Sequence, residues 1–92
     1  MSVAETMRGK LIAALSPQRL VIKDESHLHA GHAGARAGGE SHFRVLIVAA
    51  AFEGKTPVAR QRAVNAALKE ELAGPVHALA MKTLTPAEFE AG

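Results

Sequence analysis

Cysteine is absent from this 92-residue sequence, and so are tryptophan and tyrosine. The absence of cysteine excludes disulfide bonds, thiolate metal ligands and cysteine nucleophiles. Three Phe residues are the only large aromatic side chains, although the apolar fraction is 48%. The core must therefore consist mainly of small aliphatic side chains. A chain of this length, without internal repeats or linkers, is expected to form one domain over residues 1–92.

Net charge and long apolar runs are also scarce. The formal net charge is +2, which is compatible with nucleic-acid binding but does not demand it. No segment approaches the ~20 consecutive apolar residues that span a bilayer. The first six residues, MSVAET, lack the basic start of a signal peptide. We therefore expect a soluble, cytoplasmic protein without membrane contacts, and the lack of cysteine agrees with a reducing compartment.

Apolar periodicity predicts three helices and three strands in the order α-β-β-α-β-α. Ser2 and Glu5 have capping-box spacing at the start of a helix that ends before Pro17. A second capping box, Thr85 with Glu88, opens a short terminal helix. The predicted strands are residues 19–25, 42–51 and 76–83, and the long helix covers residues 57–73 with a first turn, 57–60, that could stand apart.

The connections between these elements predict the sheet. The first two strands are joined by a glycine-rich loop, residues 26–41, and can pair antiparallel. The third strand follows a helical crossover and is expected to run parallel to the second. The fold class is therefore α+β, with a three-stranded mixed sheet and helices packed on it.

Histidine is the compositional peculiarity. His27, His29 and His32 lie in the glycine-rich loop with H-x-H-x-x-H spacing, which suits borderline metals. Spacing alone favours the alternative that these are three solvated loop residues. His77, placed by its strand, could anchor such a site, although taken alone it is more typical of a half-buried structural residue. His42 begins the second strand and is expected to make a structural hydrogen bond.

The sequence gives little indication of catalytic or phosphate-binding residues. No nucleophile elbow or phosphate-binding loop is present, and we expect no enzymatic activity. Five residues near the start of the long helix could contact phosphate, although a solvated helix face explains them equally well: Gly54, Lys55, Arg60, Arg62 and Lys69. No aromatic residues are placed to stack on bases.

Four ordered motifs resemble the BolA family over nearly the whole chain. They are Asp24-Glu25-Ser26 with Gly39-Glu40-Ser41-His42-Phe43-Arg44-Val45 after the histidine loop, Phe52-Glu53-Gly54-Lys55, Arg60-Gln61-Arg62, and Val76-His77-Ala78-Leu79-Ala80. The chain departs from the family at Gln61, where arginine-histidine-arginine is usual. The resemblance implies a fold similar to type II KH domains.

The resemblance also implies a function in iron–sulfur trafficking or iron-responsive regulation. BolA-like proteins pair with monothiol glutaredoxins and share a bridging 2Fe–2S cluster with them. This chain can offer iron only histidine, so thiolates would come from a glutaredoxin cysteine and glutathione. His77 corresponds to the family's C-terminal ligand. The second ligand comes from the loop, with His29 our first choice and His32 the second.

Two alternatives stay open at this stage. Bacterial members of the family act as DNA-binding transcription regulators of stress, morphology and biofilm genes, which here would use Gly54, Lys55, Arg60, Arg62 and Lys69 on double-stranded DNA. A zinc or nickel site made only from the loop histidines would bind metal tightly in the isolated chain, without His77. Both a monomer and a homodimer are compatible with the small-residue core.

Overall fold

The computed structural model describes residues 2–26 and 41–92. Its elements follow the predicted order, with the long helix divided in two. The helices are α1 (Val3–Leu15), α2 (Pro57–Ala67), α3 (Lys69–Ala73) and α4 (Pro86–Ala91), and a 3-10 turn covers Ala50–Phe52. The strands are β1 (Arg19–Asp24), β2 (His42–Val48) and β3 (Ala78–Leu84). The first turn, residues 57–60, does not stand apart, because α2 runs on to Ala67 and the division falls at Leu68.

The predicted caps start the helices. The Ser2 hydroxyl accepts a hydrogen bond from the Glu5 backbone N–H at 3.0 Å, and the Glu5 carboxylate accepts one from the Ser2 N–H. α4 begins with the same reciprocal pair between Thr85 and Glu88. α1 ends at Leu15, and its C-cap residue Ser16 has a left-handed φ of 45°. These local bonds satisfy backbone donors that the first helical turn leaves unpaired.

The strands form the mixed sheet that the connections predicted. The order is β1-β2-β3, with β1 antiparallel to β2 and β3 parallel to β2. Lys23 lies opposite Arg44, and His42 lies opposite Ala78. The α+β fold class is confirmed, and β2 is the central strand.

The core lies between one face of this sheet and the helices α1 and α2. Fully buried side chains come from α1, β2, the 3-10 turn and α2, and partly buried Leu79 and Met81 of β3 pack against them. The core members are Met7, Leu11, Phe43, Val45, Ile47, Ala49, Phe52, Val64, Leu68 and Val76. The parallel pairing of β2 with β3 places the beginnings of the two strands side by side, where His42 and His77 lie.

Arg60 joins α2 to α4 from inside the protein. It is 9% exposed, and its guanidinium donates to both carboxylate oxygens of Glu88, at 2.6 and 3.2 Å. It also donates to the backbone oxygens of Lys55 and Thr83. Hydrogen bonds from the Arg60 side chain, and then from the Thr85 backbone, lower the pKa of Glu88 to about 2. The ion pair is therefore a structural contact that holds the terminal helix.

This pair predicts a pH-dependent contribution to stability. A carboxylate whose pKa is lower in the folded state stabilises the fold above its ordinary value of 4.5, and the gain disappears as pH falls toward about 2. We expect Glu88→Gln to lower the melting temperature at pH 7, and the difference from the wild type to shrink between pH 4.5 and 2. Thermal denaturation followed by circular dichroism measures both. Glu90→Gln, an exposed change in the same helix, is the matched control, and a pH-independent difference for Glu88→Gln would contradict the prediction.

Candidate functional site

His77 lies immediately before β3, one residue outside the strand that was expected to contain it. Its backbone is fixed, because the N–H groups of His77 and Ala78 both donate to the carbonyl oxygen of Ser41, at 2.7 and 3.1 Å. Its side chain is exposed. Within residues 2–26 and 41–92, no hydrogen bond reaches the His77 imidazole. The structure therefore holds the backbone of this histidine and presents its ring to solvent.

His42 stands beside His77. The ring centroids are 5.3 Å apart and the planes are tilted by 52°. His42 is buried, at 6% exposure, and its Nδ1 lies 2.9 Å from the hydroxyl oxygen of Ser41. The expectation of a structural hydrogen bond for His42 is thereby confirmed. The parallel pairing explains the approach of the two rings, since His42 is opposite Ala78 in the register.

A pair of buried serines closes the base of the histidine-bearing segment. The Ser26 hydroxyl accepts hydrogen bonds from the backbone N–H groups of Ser41, at 2.9 Å, and His42, at 3.1 Å. Ser26 in turn donates its own N–H to the carboxylate of Asp24. Ser26 and Ser41 flank the segment 27–40, and they are hydrogen-bonded to each other at the residue that fixes the His77 backbone. The hydrogen bonds of the Ser26 hydroxyl were not predicted from the sequence. The serines on either side of the segment were the one indication of them.

The predicted loop ligands His29 and His32, together with His27, fall in the segment 27–40, outside the described residues. Of the predicted metal ligands, the structure thus places His77 alone. In the part of the chain that is described, no group of three or more His, Cys, Asp or Glu residues could hold a metal ion. An exposed imidazole with a fixed backbone suits one ligand position of a site whose remaining ligands come from elsewhere.

We expect removal of the Ser26 hydroxyl to destabilise the base of this segment. Ser26→Ala leaves the buried N–H groups of Ser41 and His42 without their acceptor, and an unsatisfied buried donor costs about 1–3 kcal/mol. Urea denaturation measures the loss in the free energy of unfolding. Ser26→Thr keeps the hydroxyl and is the control. An unchanged unfolding free energy in Ser26→Ala would show that these bonds are not important to stability.

The residues predicted to contact phosphate differ in their exposure. Lys55 and Arg62 are exposed, and Gly54 has a φ of 76°, which favours glycine at this turn. Arg60, which was predicted to belong to the same surface, is instead 9% exposed and paired with Glu88. Lys69 is exposed but opens α3 beyond the break at Leu68, and hence lies away from the start of α2.

None of the helices in residues 2–26 and 41–92 has the length and apolar character needed to cross a membrane.

Comparison with known proteins identifies the family. The family model described as BolA-like protein matches residues 11–88. The chain is 51% identical over 89 residues to a protein of Sinorhizobium sp. described as an uncharacterized protein in the cobS 5′ region, covering 96% of both sequences. It is 52% identical over 87 residues to BolA-like protein 1 of Mus musculus, covering 95% of this chain and 61% of the mouse protein.

Solved structures agree. BolA1 from Arabidopsis thaliana superposes with a TM-score of 0.85 at 46% identity, covering 96% of both chains. The BolA domain of SufE1 from the same plant gives a TM-score of 0.84 at 39% identity, with 96% of this chain covered. The fold is therefore that of a BolA-type α+β domain. This chain belongs to the BolA-like family.

Proposed function

We propose that this chain pairs with a monothiol glutaredoxin and shares a bridging 2Fe–2S cluster with it, in iron–sulfur trafficking or in iron- or stress-responsive regulation in the cytoplasm. The observation that carries the proposal is the placement of His77. Its side chain is exposed, while its backbone is bonded to Ser41, which together with Ser26 flanks the segment carrying His29 and His32. One fixed ligand and a second from that segment would face the partner together.

The donor set of this chain fits a shared cluster and does not fit a self-contained one. With no cysteine in the sequence, His77 and a loop histidine, His29 or His32, would bind iron on this side. A cysteine of the glutaredoxin and the thiolate of glutathione would bind iron on the other. Histidine ligands raise the reduction potential of a 2Fe–2S cluster relative to thiolates. The role of this chain is thus to supply neutral nitrogen ligands and to orient them.

A titration tests the pairing. The purified chain is added to a monothiol glutaredoxin loaded with its 2Fe–2S cluster, and visible circular dichroism and size-exclusion elution are recorded. We expect the visible spectrum to change until one chain is present per glutaredoxin, with both proteins eluting as one coloured species. The cluster-free glutaredoxin is the control. Separate elution of the two proteins with an unchanged spectrum would rule out the proposal.

The two alternatives have less support from the described residues. A DNA-binding surface at the start of α2 would lack Arg60, because Arg60 is paired with Glu88. Lys69 lies on α3 and does not supply a second cation close to Lys55. A zinc or nickel site made only from the loop histidines rests on residues outside the described part. Such a site also leaves the exposure of His77, and the anchoring of its backbone, without a role.

A further inference from the structure

The face of the sheet opposite α1 and α2 carries an apolar groove. The groove has a volume of about 600 Å³ and lies between the strands and the terminal helix α4. Its apolar members include Val21 of β1, Leu46 of β2, Leu84 of β3 and Phe89 of α4. Val21 is 40% exposed and Phe89 is 38% exposed. Large apolar side chains are thus left open to solvent on this face, which we call the outer groove.

Cations border the outer groove. Lys23 and Arg44 are direct cross-strand neighbours, and Lys82 lies opposite Leu46. Like charges directly opposite each other destabilise a strand pair. The repulsion between Lys23 and Arg44 is partly offset by Glu25, whose carboxylate oxygen lies 3.2 Å from the Arg44 Nε at the surface. Across residues 2–26 and 41–92, neither Lys23 nor Lys82 has an ion-pair partner. The carboxylate of Glu88, which also lines the groove, is neutralised by Arg60.

The exposed apolar side chains of the groove and the unpaired lysines at its edge indicate what kind of molecule it binds. A small-molecule pocket encloses most of its ligand, whereas Val21 and Phe89 are exposed along the groove. Single-stranded nucleic acid needs aromatic platforms for its bases. Phe89 is the one aromatic ring among the described residues that line the groove, so the groove lacks the series of rings on which successive bases would stack. An amphipathic helix, in contrast, binds a groove through an apolar stripe.

We propose that the outer groove docks an acidic amphipathic helix of a partner protein. Its apolar stripe would pack on Val21, Leu46 and Phe89, and its flanking Asp or Glu residues would pair with Lys23 and Lys82. Charge complementarity of this kind fixes the register and speeds association more than it adds affinity.

This docking surface is distinct from the histidine site. His77 precedes the first residue of β3, whereas Leu84 is its last. Six residue steps of an extended strand cover about 20 Å. The Leu84 end of the groove is therefore far from His77, whereas its Lys23 and Arg44 end lies only two residue positions from His42 along β2. The inference does not depend on the proposed cluster, and the chain could bridge two proteins.

A displayed library of short helical peptides, varied at every surface position, tests the proposal. We expect selection on the wild-type chain to enrich peptides with an apolar stripe at helical spacing flanked by Asp and Glu. Binding of an enriched peptide, measured by fluorescence anisotropy, is expected to weaken at least about tenfold in Lys82→Glu, since like charges at an interface cost several kcal/mol. Lys82 is exposed, so this variant is expected to fold, which its melting temperature verifies.

The matched control is Arg8→Glu, an equal charge reversal at an exposed residue of α1, for which affinity should change less than about twofold. Three results would overturn the proposal. The first is enrichment of no acidic helical sequence, and the second is equal weakening in both variants. The third is that mixed-sequence single-stranded DNA binds more tightly than any peptide and loses its affinity in Lys82→Glu, which would assign the groove to nucleic acid.

Discussion

His77→Ala is expected to remove the shared cluster while leaving the fold intact. The His77 side chain is exposed, and the bond that fixes its position is made by its backbone N–H, which alanine retains. Surface changes of this kind usually alter stability by no more than about 0.5 kcal/mol. Loss of a residue that merely supports a metal ligand costs about 10–100-fold in metal affinity. Loss of the ligand itself should cost at least as much.

The measurement is the visible absorption of the chain co-expressed and co-purified with a monothiol glutaredoxin. We expect the absorption per complex to fall at least about tenfold in His77→Ala. His77→Cys is the matched control, because a thiolate is itself a ligand for iron–sulfur clusters and should restore colour with a shifted spectrum. Full absorption in His77→Ala, with an unchanged spectrum, would place the iron elsewhere, and the adjacent His42 would then be tested in the same way.

Phe52→Ala is expected to have the largest effect on folding. Phe52 ends the 3-10 turn that joins β2 to the connection before α2, and it is fully buried. It contacts the core on one side, and the Arg60 guanidinium lies over its ring at 5.9 Å on another. Truncating a buried Phe costs about 3–5 kcal/mol. Small domains have about 5–15 kcal/mol in total, so the variant would keep little stability.

Urea denaturation at 25 °C checks this value. Phe89→Ala is the control, because Phe89 is 38% exposed and its truncation should cost less than about 1 kcal/mol. Few other large side chains could fill the space that Phe52 leaves, since the core is otherwise built from Leu, Ile, Val, Met and Ala with one further Phe, Phe43. Similar losses in the two variants would mean that the core tolerates the cavity or that Phe89 is more deeply packed than its exposure indicates.

The features that sequence reasoning predicted are those with a local cause. Capping boxes act over three residues, so Ser2 with Glu5 and Thr85 with Glu88 could be read directly. The alternation in β2 and the helical crossover before β3 were sufficient for the strand order and the parallel pairing. The place of His77 at a strand made it a possible anchor for a metal site, and the family resemblance then implied that it is a cluster ligand.

The features that were missed depend on contacts between distant parts of the chain. Arg60 was assigned to a phosphate-binding surface from its place near the start of the long helix. Its partner Glu88 is 28 residues away, and such a distant pairing cannot be read from local spacing. The break at Leu68 has no glycine or proline to signal it, and Leu68 itself is buried in the core. The proximity of His42 and His77 follows from the register of two parallel strands. Composition and spacing do not determine such a register to the nearest residue.

The central claim is that a histidine of this chain binds iron in a cluster shared with a glutaredoxin. The most direct test is pulsed electron paramagnetic resonance of the reduced heterocomplex, with this chain alone labelled with ¹⁵N-histidine. We expect ¹⁵N hyperfine couplings of directly bound nitrogen, of which the His77 contribution disappears in His77→Cys, where the cluster and the loop histidine ligand are retained. A reduced cluster that shows no such coupling in the wild type would be ligated without this chain's histidines, and would contradict the account.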